Sequence, residues 1–231
     1  MFEWENKVFQ YIDNNERIYE KLKKYVNLII EKNKEFNLTG FDEEKIWCDG
    51  IYQSIVILNN FIDLNQCNIN LLDIGAGAGF PSIPFYIFSQ DKINLTIYEP
   101  IKKRVDFLNL VKKELNLKNL LIINKRIEDS NENEKFNFIC ARAVMSLNML
   151  IEVSSKCGEI NCNYVFLKSK NVYEELENSK NIINKLSIDD LKIEKINLND
   201  GKEHNIVTYT KKIKTPNGIP RKWIEIKRLN K

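Results

Sequence analysis

Apolar residues in the first sixty positions recur at helical spacing. Six of them fall three and four positions apart on one face, at Tyr19, Leu22, Tyr25, Val26, Ile29 and Ile30. That spacing predicts an amphipathic helix. A second helical stretch is predicted at 43–61, after the loop Asn37-Leu38-Thr39-Gly40. We interpret both stripes as ordinary packing faces.

Beyond residue 68 the chain changes to short apolar runs separated by helical segments. The runs cover 69–74, 95–98, 120–123, 136–141 and 164–167, and the clearest helical segment covers 102–115. Strands that alternate with helices predict a parallel α/β sheet. Two more strands are predicted at 193–198 and 205–210, with the turn Asn199-Asp200-Gly201 between them. Such a hairpin would add an antiparallel edge to the sheet.

Composition favours a reducing compartment and gives no sign of a membrane protein. Of the 231 residues 43% are hydrophobic, which is enough for a full core. The five cysteines form no C-x-x-C and there is one histidine, so neither a disulfide framework nor a metal site is expected. The chain opens on an acidic, amphipathic stretch and has no apolar run of about 18 residues. We therefore expect a soluble, cytoplasmic protein.

Positive charge is concentrated at the end of the chain. The net charge is +3, yet residues 202–231 hold nine Lys or Arg against two Glu. A basic end on a mildly acidic body is typical of proteins with a polyanionic partner. A solvated, lysine-rich end explains the same count equally well.

A glycine-rich loop lies where the first strand should pass into a helix, in the segment 72–81, LDIGAGAGFP. Gly75, Gly77 and Gly79 allow a sharp turn and a close approach of a ligand to the backbone. A dinucleotide fingerprint needs Gly or Ala where this chain has Phe80, which disfavours a dehydrogenase. The G-x-G-x-G spacing is more typical of S-adenosylmethionine methyltransferases.

Two acidic residues accompany the loop. Glu99 follows the second strand, 20 residues after Gly79, where an acid accepts hydrogen bonds from ribose hydroxyls. Asp73 ends the first strand, and we expect it to orient the loop by hydrogen bonding. Pro81 fits the first position of the following helix.

These motifs resemble one family over nearly the whole chain: the bacterial ribosomal small-subunit methyltransferase G, or glucose-inhibited division protein B. The matching segments are NLT at 37–39, DIGAGAGFPSIP at 73–84, KRVDFL at 103–108, RIE at 126–128, ARA at 141–143, LK at 167–168 and PRK at 220–222. The resemblance implies a Rossmann-like class I methyltransferase sheet with a helical N-terminal extension at 1–62. The S-adenosylmethionine-binding domain would span 63–212 and a basic tail 213–231.

Ser82, Ile127 and Ser169 replace a glycine, an alanine and a glycine of the family motifs, and a further departure matters more. Family members carry H-x-x-D-S in the N-terminal helix before the sheet, whereas this chain has GIYQS at 50–54. Gly50 and Gln53 thus replace the histidine and the aspartate. The departure bears on the active site and on the RNA target but leaves the cofactor loop intact.

The resemblance also implies the residues of the site. Gly75, Phe80, Ile127, Glu128 and Arg142 would line the cofactor pocket, in addition to the loop's Gly77 and the acids already named. As catalytic residues we expect Arg142 and Lys168, which could contact a phosphate or the edge of the base. For Arg142 a surface ion pair, and for Lys168 a solvated strand end, are the alternatives that the residues themselves allow.

The family methylates N7 of a guanine in the 530 loop of 16S ribosomal RNA, so the resemblance implies 16S RNA or the small ribosomal subunit as partner. N7 has a lone pair and no proton to lose, so the transfer needs positioning and no general base. The tail's Lys211, Lys212, Lys214, Arg221 and Lys222 could neutralise phosphate, and Trp223 could stack on a base or pack on the body. Two alternatives stay open: a methyltransferase acting on a small molecule or protein, and a non-catalytic RNA-binding relative.

Overall fold

The computed structural model describes residues 2–198 and 200–228. Asn199 of the predicted turn and residues 229–231 of the predicted tail lie outside the described residues, as does Met1. Within the described ranges no helix is both long enough and apolar enough to span a membrane.

Helices and strands alternate along the chain as the apolar pattern predicts. The α-helices are α1 Glu3–Tyr11, α2 Glu16–Asn33, α3 Glu43–Lys45, α4 Gln53–Phe61, α5 Ser82–Ser89, α6 Lys102–Glu114, α7 Leu147–Ser154, α8 Val172–Lys185 and α9 Trp223–Arg228. The strands are β1 Ile69–Ile74, β2 Ile93–Tyr98, β3 Leu120–Ile123, β4 Phe136–Arg142, β5 Gly158–Lys168, β6 Lys192–Asn197 and β7 Glu203–Thr210. Every strand and the helix predicted at 102–115 are confirmed, with shifts of a few residues at their ends.

The strands are hydrogen-bonded in the order β3-β2-β1-β4-β5-β7-β6. Pairs β1–β4, β2–β3 and β4–β5 are parallel, while β7 runs antiparallel to both β5 and β6. The predicted parallel α/β sheet with an antiparallel hairpin at its edge is therefore confirmed. The chain divides into two compact units, one of the residues up to Ile69 with Gly75–Asn124 and one of Asn70–Ile74 with the residues from Lys125 onward. The domain boundaries after residues 62 and 212, which the family resemblance implies, stay predictions.

The first unit is organised around α2. The side chain of Asn15 caps this helix by accepting a hydrogen bond from the amide of Ile18, at 3.2 Å. The predicted apolar face is buried and packs against α5 and α6. Two tyrosine hydroxyls on this face form hydrogen bonds, Tyr19 with Glu5 of α1 at 2.8 Å and Tyr25 with the glycine-rich loop.

The single helix predicted at 43–61 is instead three consecutive segments. Between α3 and α4 the chain forms a π-helix over Ile46–Tyr52. This wider helical geometry is rare and is frequent at functional sites. It contains Gly50, where the family pattern has histidine.

The second unit carries β1, β4, β5 and the hairpin β6–β7. Its core includes the rings of Tyr164 and Tyr209, which stack with centroids 4.3 Å apart and planes inclined by 10°. Strand β5 begins at Gly158, earlier than the predicted 164. Its first residues alternate polar and apolar side chains, and Asn161 and Asn163 interrupt the apolar run on which the prediction rested.

Candidate active site: a glycine loop clamped from two sides

The loop between β1 and α5 leaves open space above its second glycine. Gly77 has a φ of +61°, and a Cβ built on it would meet only Nη1 of Arg104, at 4.0 Å. A ligand can thus approach this backbone closely, as the sequence predicts. Helix α5 begins at Ser82, so Pro81 is its N-cap residue and not, as predicted, its first helical residue.

Glu99 fixes this loop by a hydrogen bond from the loop backbone to its carboxylate. Its side chain is buried, Oε2 accepts a hydrogen bond from the amide of Gly77 at 3.0 Å, and Oε1 accepts one from the amide of Ile101 at 2.9 Å. The amide of Gly75 donates to the carbonyl oxygen of Tyr98 at 2.8 Å. Each carboxylate oxygen can accept a further hydrogen bond. Glu99 therefore fixes the loop and retains acceptor capacity for a ribose hydroxyl.

Tyr25 fixes the same loop by a second hydrogen bond, to the carbonyl oxygen of Ala78. Its hydroxyl donates to the carbonyl oxygen of Ala78 at 2.6 Å. A Cβ on Gly79, whose φ is +107°, would lie 2.6 Å from that same hydroxyl oxygen. Sequence reasoning treated Tyr25 as packing only. The signal was the residue type itself, because a tyrosine on a buried helical face needs a hydrogen-bond partner for its hydroxyl.

Phe80 lies in an aromatic setting at the end of the loop. Its buried ring meets the edge of Tyr25, with centroids 5.9 Å apart, and lies beside Phe41 at 6.1 Å. A Cβ placed on Gly50 would lie 2.6 Å from Cζ of this ring. The ring therefore fills the space next to position 50, and no side chain fits there while Phe80 keeps its place.

Arg104 is a second residue that sequence reasoning missed. It lies in α6 within the KRVDFL segment, and its guanidinium is the group nearest to the open space above Gly77. The segment served only to support the family resemblance. A cation at this point can bind an anionic group of a ligand or a phosphate.

In the second unit, Glu128 is a buried acid with an unsatisfied oxygen. It belongs to a 3₁₀ turn, Ile127–Asp129, in which Ile127 is buried as well. Only 4% of the Glu128 side chain is exposed, and among the described residues its Oε1 has no hydrogen-bond partner. Nη1 of Arg126 lies 3.7 Å away, which is ion-pair distance only. Burial raises the pKa of Glu128 above its ordinary value, against the opposing charge of Arg126.

Arg142 and Asp73 lie at the carboxyl ends of neighbouring strands of the second unit, Arg142 as the last residue and Asp73 as the last but one. Arg142 is the last residue of β4, opposite Leu167 of β5, and is half-buried. Asp73 is fully buried in β1, opposite Cys140. Burial raises the pKa of the Cys140 thiol well above its ordinary value, and the charge of Asp73 adds to the shift. The roles of Arg142 in the site and of Asp73 in orienting the loop stay predictions.

Lys168 is held inside the second unit. Its side chain is 5% exposed, and Nζ lies 2.6 Å from Oε2 of Glu175 and 2.7 Å from the carbonyl oxygen of Met145. Glu175 also accepts a hydrogen bond from the amide of Leu147, at 2.7 Å. The solvated strand end is therefore wrong for this residue. Lys168 and Glu175 together fix the segment that follows Arg142.

The C-terminal cations divide into paired and exposed ones. Lys211 is buried and donates to the carbonyl oxygen of Gly158 at 2.7 Å, and burial lowers its pKa. Arg221 forms a two-pronged ion pair with the buried Glu152, at 2.8 and 2.6 Å. The expectation that Lys211 and Arg221 neutralise phosphate is therefore corrected, whereas Lys214 and Lys222 are exposed.

His204 and Trp223 also have partners. His204 is buried, and its Nε2 lies 2.6 Å from Oδ2 of Asp200. Trp223 is half-exposed, with the cations of Arg126 and Lys227 5.7 and 5.5 Å from its ring centroid. The histidine, near the start of β7, thus holds Asp200 of the preceding turn.

Each unit, taken by itself, offers groups that suit the predicted cofactor. Gly77 offers open backbone, Glu99 offers acceptors for hydroxyl groups, and Glu128 offers a buried acceptor without a donor. S-adenosylmethionine carries hydroxyl and amino donors together with a positive charge, which matches acidic and acceptor groups. These acceptor groups therefore fit the hydrogen-bond donors and the positive charge of this compound.

The family model and the relatives that match this chain carry the same family name. A family model described as rRNA small subunit methyltransferase G matches residues 18–207. The Ribosomal RNA small subunit methyltransferase G of Mycoplasmopsis pulmonis is 41% identical over 209 residues, 89% of this chain and 90% of the relative. The protein of the same name from Malacoplasma penetrans is 43% identical over 222 residues, 94% and 92% of the two chains.

Solved structures agree in fold. The crystal structure of M. jannaschii TYW2 in complex with S-adenosylmethionine superimposes with a TM-score of 0.53, over 70% of this chain and 77% of that one. The two sequences are 17% identical. At that identity the likeness shows a common fold.

Proposed function

The chain belongs to the rRNA small subunit methyltransferase G family and is an S-adenosylmethionine-dependent rRNA methyltransferase, and we propose that it methylates N7 of a guanine in 16S ribosomal RNA. The observation that carries the proposal is the glycine loop, which is open above Gly77 and held in place by Glu99. The acceptor atom and the 530 loop come from the family resemblance. For such a substrate we propose a cytoplasmic location.

The cofactor supplies an electrophilic methyl group when bound, and the chain supplies position. We propose that the backbone at Gly75 and Gly77, the ring of Phe80 and the carboxylate of Glu99 hold the cofactor from the first unit. For the second unit we propose Ile127, Glu128 and Arg142 in the same role. Gly77 and Glu99 are assigned by the spacing of the loop and the other residues by the resemblance, and the open backbone and the spare acceptors described above support the assignment.

N7 as acceptor agrees with the residues present. Guanine N7 carries a lone pair and no proton, so no side chain has to act as general base. The chain has one histidine, and it is buried against Asp200. Holding the nucleophile in line with the methyl group can supply about 7–11 kcal/mol of the barrier reduction in favourable cases. Arg142 is the group we propose for positioning the base, and Lys168 acts by fixing the segment that follows it.

RNA binding needs positive charge that is not already paired. Lys214 and Lys222 are exposed and meet this requirement, while Lys211 and Arg221 are paired within the protein. The ring of Trp223 is covered in part by two cations. We propose that the exposed lysines contact RNA phosphates, with 16S RNA or the small subunit as the partner.

The decisive experiment maps N7-methylguanosine in 16S RNA from cells with the protein, without it, and with Gly77→Val in its place. We expect one modified guanine that disappears in the latter two strains. A 16S RNA that is the same in all three strains would contradict the proposal. Purified protein that methylates a small molecule or a protein instead, or that binds the cofactor without turnover on ribosomal substrates, would identify which alternative holds.

A further inference from the structure

The segment between α2 and α3 presents an aromatic ring beside the cofactor loop. Phe41 is half-exposed, and its ring lies 6.1 Å from that of Phe80, with planes inclined by 30°. Phe80 directly follows the last glycine of the loop and is buried. Phe41 therefore extends an aromatic surface from the loop outward to where solvent reaches.

The segment is ordered before any ligand arrives. The side chain of Asn33 donates to the carbonyl oxygen of Thr39 at 3.1 Å and accepts from the amides of Leu38 and Thr39 at 3.1 and 3.0 Å. The side chain of Leu38 is buried. These contacts hold the backbone that leads to Phe41, so little conformational entropy is lost when a ligand meets the ring.

Hydrogen bonds also fix the chain at Phe41 and directly after it. Its own amide donates to Oγ1 of Thr39 at 3.4 Å, and Asp42 caps α3 by accepting from the amide of Lys45 at 2.9 Å. Phe41 thus lies between a clamped turn and a capped helix. A rigid aromatic side chain with one half exposed is the kind of platform on which proteins stack unpaired bases.

Charge around the ring favours a base over a phosphate. Asp42, Glu43 and Glu44 follow Phe41 directly, and all three are exposed. Three carboxylates repel the phosphate backbone and attract positive charge. A purine that becomes cationic meets both the negative face of an aromatic ring and this acidic run.

We propose that Phe41 stacks on the acceptor guanine and stabilises the positive charge that develops on the purine during methyl transfer. The inference rests on the proposed function. In that step the lone pair of N7 forms the new nitrogen–carbon bond, the sulfur–carbon bond breaks, and its electron pair stays on sulfur. The positive charge moves from sulfur to the purine and no proton is transferred. An interaction that grows with this charge is stronger in the transition state than in the ground state, and so raises kcat.

The first test replaces Phe41 by Leu, which keeps apolar volume and removes the π face. We expect kcat on small-subunit RNA to fall about 5- to 30-fold, the range of a cation–π interaction. The affinity for S-adenosylmethionine by calorimetry should change less than twofold, and Phe41→Trp should restore the rate. Phe36→Leu is the matched control, because Phe36 is a half-exposed ring in the same segment without the Phe80 contact, and it should stay within twofold.

The second test measures binding and needs no turnover. Wild-type protein should bind an RNA with N7-methylguanosine at the target more tightly than the same RNA with guanosine. Fluorinated phenylalanines at position 41 should reduce this preference in steps as fluorine atoms are added, because they weaken the negative ring face. A preference that does not change along the series, or a Phe41→Leu enzyme with wild-type kcat, overturns the inference.

The two proposals fail in different ways. If N7 is not the acceptor, wild-type enzyme makes no N7-methylguanosine at all. If only the role of Phe41 is wrong, wild-type enzyme makes it and Phe41→Leu makes it equally fast.

Discussion

The hydroxyl of Tyr25 donates a 2.6 Å hydrogen bond to the carbonyl oxygen of Ala78. Tyr25 belongs to the helical N-terminal extension, and Ala78 belongs to the glycine loop 53 positions later. The extension therefore takes part directly in shaping the cofactor loop. Removing or changing its helices should affect cofactor binding as well as stability.

Tyr25→Phe tests this connection. The change removes one hydroxyl and leaves the carbonyl of Ala78 without that donor, so we expect the free energy of unfolding to fall by about 1–2 kcal/mol. Calorimetry should also show a several-fold weaker affinity for S-adenosylmethionine. Tyr11→Phe is the control, because the Tyr11 hydroxyl accepts a hydrogen bond from Asn59 at the exposed surface. Equal losses in both variants would argue against a role in the loop.

Gly77→Val should abolish cofactor binding. A branched side chain would fill the space above the loop, and it would also be strained at a φ of +61°. Gly218→Val separates the two effects, since Gly218 has a φ of +83° and open surroundings. Both variants should lose comparable stability, about 1–3 kcal/mol by thermal unfolding. Only the first should lose the calorimetric signal of binding.

The Glu152–Arg221 pair should make stability depend on pH. Burial raises the pKa of Glu152, but its hydrogen bonds from Arg221 outweigh burial, so the pKa lies below its ordinary value of 4.5. A carboxyl with a lowered pKa stabilises the fold above its unfolded value, and this contribution is lost as pH falls through the folded value.

Glu152→Gln should therefore lower the free energy of unfolding by about 2–4 kcal/mol at pH 7, by urea denaturation. The difference from wild type should shrink as the pH falls below about 4. Glu177→Gln removes an exposed partner of Lys180 and should cost less than about 0.5 kcal/mol. A Glu152→Gln deficit that is equally large in acid would mean that the ion pair is not its cause.

The exposed lysines of the tail should account for part of the salt dependence of RNA binding. Replacing Lys214 and Lys222 together by Ser removes two candidate phosphate contacts, so the slope of log K against log salt should flatten by about 1–2. Filter binding over a range of salt concentrations measures the slope. Lys92→Ser with Lys118→Ser removes two exposed lysines elsewhere and should leave it unchanged. Cofactor affinity should be the same in all of these proteins.

Sequence reasoning worked where function depends on local pattern. Apolar runs located the strands, and the glycine spacing with Glu99 located the loop and its acid. It missed partners that lie far apart in the chain: Tyr25 and Ala78 are 53 residues apart, and Arg221 and Glu152 are 69 apart. Such pairings depend on tertiary packing, which a single sequence does not display.

Three single elements show in other ways what the sequence does not display. The π-helix at Ile46–Tyr52 has the apolar content of an ordinary helix, so periodicity does not distinguish it. His204 follows a turn, and Asp200, four residues earlier in that turn, binds its ring. Lys168 ends a strand, and only the fold brings Glu175 to its ammonium group.

The packing of Phe80 against Gly50 makes the residues tolerated at these two positions depend on each other. A Cβ at position 50 would lie 2.6 Å from the ring, and the ring itself is enclosed by Tyr25 and Phe41. In this structure a side chain at position 50 therefore requires the ring of Phe80 to move. The effect of a substitution at either position should depend on the residue at the other, so that the two changes are not additive in stability.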